Sequence, residues 1–160
     1  MLRRAYAFLG RALHAAARPF LRRYFAARHV RVRALVLNEQ GELLLTRSWF
    51  GHQKWSLPGG GIGHRETSAQ AASREVLEET GVHISPQQFS SLGRFANGDS
   101  SAPFTVDAVV AHIKNQPAGV AKLRRLEIVD TAWFPLHDVP PQRSKTVDRA
   151  LALNRGKPRS

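Results

Sequence analysis

Glu75, Glu78 and Glu79 stand at i, i+3 and i+4 in a stretch that reads as a helix from about Thr67 to Thr80. On a helix that spacing puts three carboxylates on one face at neighbouring heights. Their mutual repulsion costs a few tenths of a kcal/mol per pair, roughly 0.2–0.5. A hard divalent cation such as Mg²⁺ or Mn²⁺, which prefers oxygen ligands, would turn that repulsion into a binding site. The triad alone is a weak sign, because glutamate is a strong helix former and clustered glutamates are commonly a solvated face.

The residues just before the helix add weight. Pro58 is followed by Gly59, Gly60 and Gly61, a backbone able to approach oxyanions or a metal closely and to turn sharply into a helix. It has neither the GxGxxG pattern of a dinucleotide site nor the lysine of a P-loop. Taken together, Gly60, Glu66, Arg74-Glu75, Glu78-Glu79 and Gly81 are separated by five, seven, two and one residues. This arrangement resembles the Nudix box, running from Gly60 to Val82, with Val76 and Val82 at its apolar places.

The likeness extends from about Val30 to Pro140, through "WSLPGG" and "EIVDTAWFPLHDVP". It implies an α/β/α sandwich with a mixed sheet, an enzyme that cleaves a pyrophosphate bond in a nucleoside diphosphate linked to another group, and Mg²⁺ or Mn²⁺ as cofactor. It also implies roles for individual residues. Glu75, Glu78 and Glu79 would hold the metal, with Glu75 a candidate base. Arg74 would orient its neighbours, and Glu66 and Gly81 would support the box. Gly59, Gly60, Gly61 and Arg47 would meet the substrate, and Glu127, with Asp130 as a second acid, would complete the catalytic set.

The chain departs from the family pattern where an acid is common but Gly63 stands, and where a glycine is common but Arg65 stands, preceded by His64. A second function remains open on the sequence, that of a catalytically weak Nudix-like module that binds a nucleotide or associates with a membrane. Trp55, Phe95 and Phe104 suit either stacking on a base or packing in a core.

Such a site needs a scaffold, and 160 residues suffice for one domain with a real core. Alternation from Val30 to Val36, turn residues Asn38–Gly41 and "ELLLTRSWF" predict a β-hairpin ahead of the glycine loop. "FSSLGRFAN", "FTVDAVVAHIK" and "EIVDTAWFPL" predict three further strands, and a short helix starting near Thr146 is expected to close the domain. The expected organisation is an N-terminal arm (1–28), a catalytic domain (29–153) and a flexible tail (154–160).

Net charge is +12, yet nine arginines and no acid precede Glu39, so the remaining 15 basic residues exceed the 12 acids by only three. The basicity belongs mainly to the arm, which holds seven of those nine arginines, and this argues against nucleic acid as the partner of the domain. In the arm, Leu2, Tyr6, Leu9, Leu13, Ala16, Phe20 and Tyr24 form an apolar stripe of helical period, with Pro19 as a break or kink. That stripe suits an anionic membrane surface or an apolar face of the chain's own domain, and its acid-free, Arg-rich composition also resembles an organelle transit peptide. No run of about 20 apolar residues is present for a transmembrane helix. With no cysteine, disulfides and thiolate metal sites are excluded. A cytoplasmic location, with peripheral membrane attachment through the arm, is the expectation; oligomeric state is left open.

Overall fold

The computed structural model describes residues 30–48, 53–98, 104–114 and 128–156. The arm at 1–28, Glu127 and the last tail residues lie outside the described residues. Strand β1 (Val30–Asn38) leads through a tight turn into β2 (Glu42–Ser48). The Asn38 side chain makes the turn by accepting from the Gln40 and Glu42 amides at 3.1 and 2.8 Å, the usual use of asparagine at such a position. There follow β3 (Trp55–Ser56), helix α1 (Ser68–Thr80), a 3₁₀ turn at Pro86–Gln88, β4 (Ser90–Ala96), β5 (Thr105–Ile113), β6 (Ile128–Pro135) and helix α2 (Lys145–Arg155). The hairpin, the box helix, the three later strands and the closing helix are all present where the sequence places them. Strand β3 was not foreseen, and α2 runs on through Asn154 and Arg155, beyond the Leu153 boundary expected for the domain.

The six strands form one mixed sheet of order β3–β2–β1–β5–β4, with β6 also paired to β2. β1 and β5 are parallel along their whole lengths, from Val30↔Thr105 to Asn38↔Ile113, and the other pairs are antiparallel. Leu43 pairs with both Leu37 and Phe134, and Arg47 with both Trp55 and Asp130. Strand β6 therefore takes one edge of β2, while β1 and β3 share the other. Away from the turn, before Leu37 in β1 and after Leu43 in β2, the hairpin strands part, and the chain from Trp55 to Gly61 fills the wedge: β3 pairs with β2, and the glycine loop pairs with β1.

Both faces of the sheet are covered. Val32, Ala34, Val36, Leu44, Val109 and Ala111 pack beneath Ala71, Ala72 and Val76 of α1. Leu35, Leu37, Leu43, Leu45, Val106, Ala108 and Val110 pack on the other side with Val147 and Ala150 of α2. Burial on both faces explains why β1 and β2 read as near-continuous apolar runs past Arg33 rather than as half-exposed alternations. Each of the fully buried leucines contributes about 1.5–3 kcal/mol. The architecture is the α/β/α sandwich expected.

Helix α1 is closed at both ends by its own sequence. At the N-cap, Thr67 Oγ1 accepts from Gln70 N at 3.2 Å while Gln70 Oε1 accepts from Thr67 N at 2.8 Å, a reciprocal capping box. Gly81 ends the helix in the left-handed region at φ 73°, donating to Leu77 O at 3.0 Å, as such caps do. A Thr67→Ala variant should lose about 1 kcal/mol of stability, measured as a shift in the urea midpoint with an unchanged slope.

Candidate active site

The glycine loop is held as if it were a strand. Val32 N donates to Gly60 O and Ala34 N to Pro58 O, each at 2.9 Å. This close approach requires Gly59: its φ is 141°, and a Cβ there would lie 2.3 Å from Val32 O. Next to it, Gly60 is the floor under Glu75, since a Cβ on Gly60 would lie 2.3 Å from Glu75 Oε1. The Gly59 amide turns to the helix and donates to Glu79 Oε2 at 3.1 Å. Glu75 and Glu79, only 5% and 8% exposed, are thus carboxylates buried against a backbone that carries no side chains.

Arg74 ties the box together. It forks onto Glu66, with Nε to Oε1 and Nη2 to Oε2 both at 2.9 Å. Nη2 also donates to Gly61 O at 3.0 Å and Nη1 to Glu75 Oε1 at 2.8 Å, while Glu78 Oε2 lies 3.7 Å from Nη1. Glu66 accepts from Gly63 N at 2.7 Å as well. The hydrogen bonds from Arg74, followed by that from Gly63, outweigh burial and hold the Glu66 carboxyl below its ordinary pKa. The same pairing raises Arg74 further above its ordinary range.

Glu66, Arg74, Glu75, Glu78, Glu79, Gly59, Gly60 and Gly61 are therefore one connected assembly around the α1–loop junction. Arg47 is engaged elsewhere, with Asp130 at 2.8 Å and over the Trp55 ring at 5.0 Å. Trp55, Phe95 and Phe104 pack against the α2-side core. Glu127 lies outside the described residues. His64 is exposed. Arg65, where the family commonly has glycine, adopts φ 65°, a left-handed conformation loaded on a residue with a Cβ. Reading from sequence missed Arg33, whose Nη1 donates to Gly59 O and, at 3.4 Å, to Leu57 O; only its place beside the loop, set by the sheet, reveals it.

Among the described residues no group of three His, Cys, Asp or Glu side chains converges as a ready-made ion cage. The donors nevertheless suit a hard divalent cation in kind, being carboxylate oxygens with little competing solvent. The space between Glu75 and Glu78 already draws in a positive group, Arg74 Nη1.

A NUDIX domain family model matches residues 27–153. The chain belongs to the Nudix family. Members of this family act on nucleoside diphosphate derivatives and generally use divalent metal ions. The chain is 34% identical over 103 residues to a mutator-named protein, MutT4, of Mycobacterium tuberculosis, covering 64% of this chain and 41% of that protein. It is 29% identical over 124 residues to the m7GpppN-mRNA hydrolase dcap-2 of Caenorhabditis elegans, covering 76% of this chain and 15% of that protein. The match thus spans less than half the length of either relative. Its fold is the Nudix fold: a MutT NUDIX hydrolase from Burkholderia pseudomallei superposes with a TM-score of 0.68 at 22% identity, covering 78% of this chain and 96% of that one.

Two outcomes follow from the loop. A carboxylate with a lowered folded pKa stabilises fully above its unfolded value, about 4.3, and loses that contribution as pH falls through the folded value. Glu66→Gln should accordingly melt below the wild type at pH 7, with the gap closing below about pH 4; a melting series from pH 7 to 3 measures it. Arg65→Gly should relieve the left-handed strain and raise stability by about 1 kcal/mol, read from urea unfolding.

Proposed function

We propose that this Nudix chain is a Mg²⁺- or Mn²⁺-dependent hydrolase that cleaves the pyrophosphate bond of a nucleoside diphosphate linked to another group. The observation that carries the reading is the pair of buried carboxylates, Glu75 and Glu79, set against Gly60 and the Gly59 amide at the split in the sheet. Burying two acids beside each other is costly unless their charge is used or matched. Arg74 and the Gly59 amide match part of it, and a bound divalent cation would be a further match suited to carboxylate oxygens. The names of relatives such as the m7GpppN-mRNA hydrolase and the NAD-capped RNA hydrolase NudC of Pasteurella multocida support a nucleotide-type substrate.

A diphosphate is itself anionic, so the glutamates cannot bind it directly. Glu75, Glu78 and Glu79 would hold Mg²⁺ or Mn²⁺, which when bound supplies neutralisation of phosphoryl charge and acidification of water. Glu75, seated over Gly60 and bonded to Arg74, is the residue proposed to take the proton from water. Arg74 bonds to it directly and is held in turn by Glu66. Arg47, braced by Asp130 at the Trp55 ring, offers a cation to the remainder of the substrate, and Glu127 is proposed as the additional acid. The arm's proposed partner is an anionic membrane surface; no helix among the described residues is long and apolar enough to cross a membrane.

A Mg²⁺-supplemented panel of ADP-ribose, NDP-sugars, dinucleotides and (d)NTPs, read by phosphatase-coupled phosphate release, should reveal turnover. Glu78→Gln should lower the rate on the best substrate by more than about 100-fold, since even outer partners of a metal site cost 10–100-fold, while melting as a folded protein. Turnover unchanged in both Glu78→Gln and Glu79→Gln would overturn the assignment.

A further inference from the structure

Arg33 lies on β1, outside the box, and reaches the glycine loop from the strand that the loop pairs with. The loop's alternate carbonyls, Pro58 O and Gly60 O, already accept from the β1 backbone. The intervening carbonyls, Leu57 O and Gly59 O, belong to buried residues and cannot use that ladder. Buried carbonyls need donors, and the Arg33 guanidinium supplies them, with Nη1 donating to both.

The Gly59 carbonyl occupies the peptide plane that ends at the Gly60 Cα. Because a peptide unit is planar, anchoring that oxygen fixes the position of the Gly60 Cα, which is the surface under Glu75. On the other side of the Gly59 Cα is the amide that donates to Glu79. The Gly59 oxygen thus lies between the seats of two carboxylates and adds a side-chain anchor to the backbone bonds on either side of it. Three successive glycines have no side chains with which to lock their own backbone and are the most conformationally permissive residues available, so the lock must come from elsewhere.

We propose that Arg33 is a positioning residue for the metal-binding carboxylates, clamping the Gly59–Gly60 peptide so that Glu75 and Glu79 stand ready for a divalent ion. The proposal rests on the hydrolase reading above. Lysine keeps the charge and carries its donors on one nitrogen, as Nη1 does here, but lacks the fixed plane of the guanidinium that holds that nitrogen in place.

The test uses the full chain and Mn²⁺ alone, with free Mn²⁺ counted by electron paramagnetic resonance, on the wild type, Arg33→Ala and Arg33→Lys. Apo melting curves establish folding. Arg33→Ala should weaken Mn²⁺ binding by about 10-fold or more, and Arg33→Lys should recover part of the loss; with a nucleotide substrate, the Mn²⁺ activation constant should rise more than KM for substrate. If Arg33→Ala does not melt cooperatively, the Arg33→Lys comparison decides: affinity between about 2- and 10-fold weaker supports the clamp. Wild-type affinity in a folded Arg33→Ala, or in Arg33→Lys where Ala does not fold, with only a lower melting temperature, would overturn the proposal and leave the hydrolase reading standing. Absence of Mn²⁺ binding by the wild type would overturn both.

Discussion

The site depends on one guanidinium. Three glutamates within one and a half turns repel each other, and a helix that carries them on a buried face loses their hydration as well. Arg74 answers both costs. It forks onto Glu66, reaches Glu75, and caps the Gly61 carbonyl. The fixed, planar geometry of its five donors allows a single side chain to join a loop acid, a helix acid and a backbone carbonyl. Beside it, the Gly59–Glu79 bond and apolar packing help to set the spacing of the glycine loop and α1.

The sheet provides the other half of the constraint. β1 and β2 begin as a hairpin and then separate, so the ladder edge of β1 is left for the loop. That opening is where side-chain-free backbone becomes useful. Gly59 admits the β1 carbonyl and Gly60 admits the Glu75 carboxylate, so the same glycines that let the loop enter the sheet let the acids reach the loop. Arg33 closes the arrangement from the strand side. Scaffold and site share atoms here, which means that a change in loop packing is expected to appear in metal affinity as well as in stability.

At the α1 start, Ser68 Oγ donates to Asp107 Oδ2 at 2.6 Å, and Arg94 Nη2 reaches the same oxygen at 3.0 Å. The helix is therefore fastened to β5 and β4 at one end and to the loop by Arg74 along its face. Arg47 with Asp130 and Trp55 forms a separate group bridging β2, β6 and β3. An acid and a base far apart in the chain meet there only because β2 and β6 align antiparallel.

Local chemistry was legible without coordinates. The spacing of Glu75, Glu78 and Glu79, the span of the box helix from about Thr67 to its stop before Gly81 and the Asn38–Gly41 turn all follow from interactions within four residues, and their outcome does not depend on distant neighbours. The strands could be found for a similar reason, since burial writes apolar runs into the chain. Nonlocal pairing was not legible: the parallel register of β1 with β5, the splay that makes room for β3, and Arg33 on Gly59 O each join segments tens of residues apart, where no periodicity records the partner. Arg65 shows both sides of the divide. Its identity argued for an altered loop, yet the bonds of Glu66 to Arg74 and Gly63 hold the turn at φ 65° regardless, because tertiary hydrogen bonds worth several kcal/mol together outweigh about 1 kcal/mol of local backbone preference.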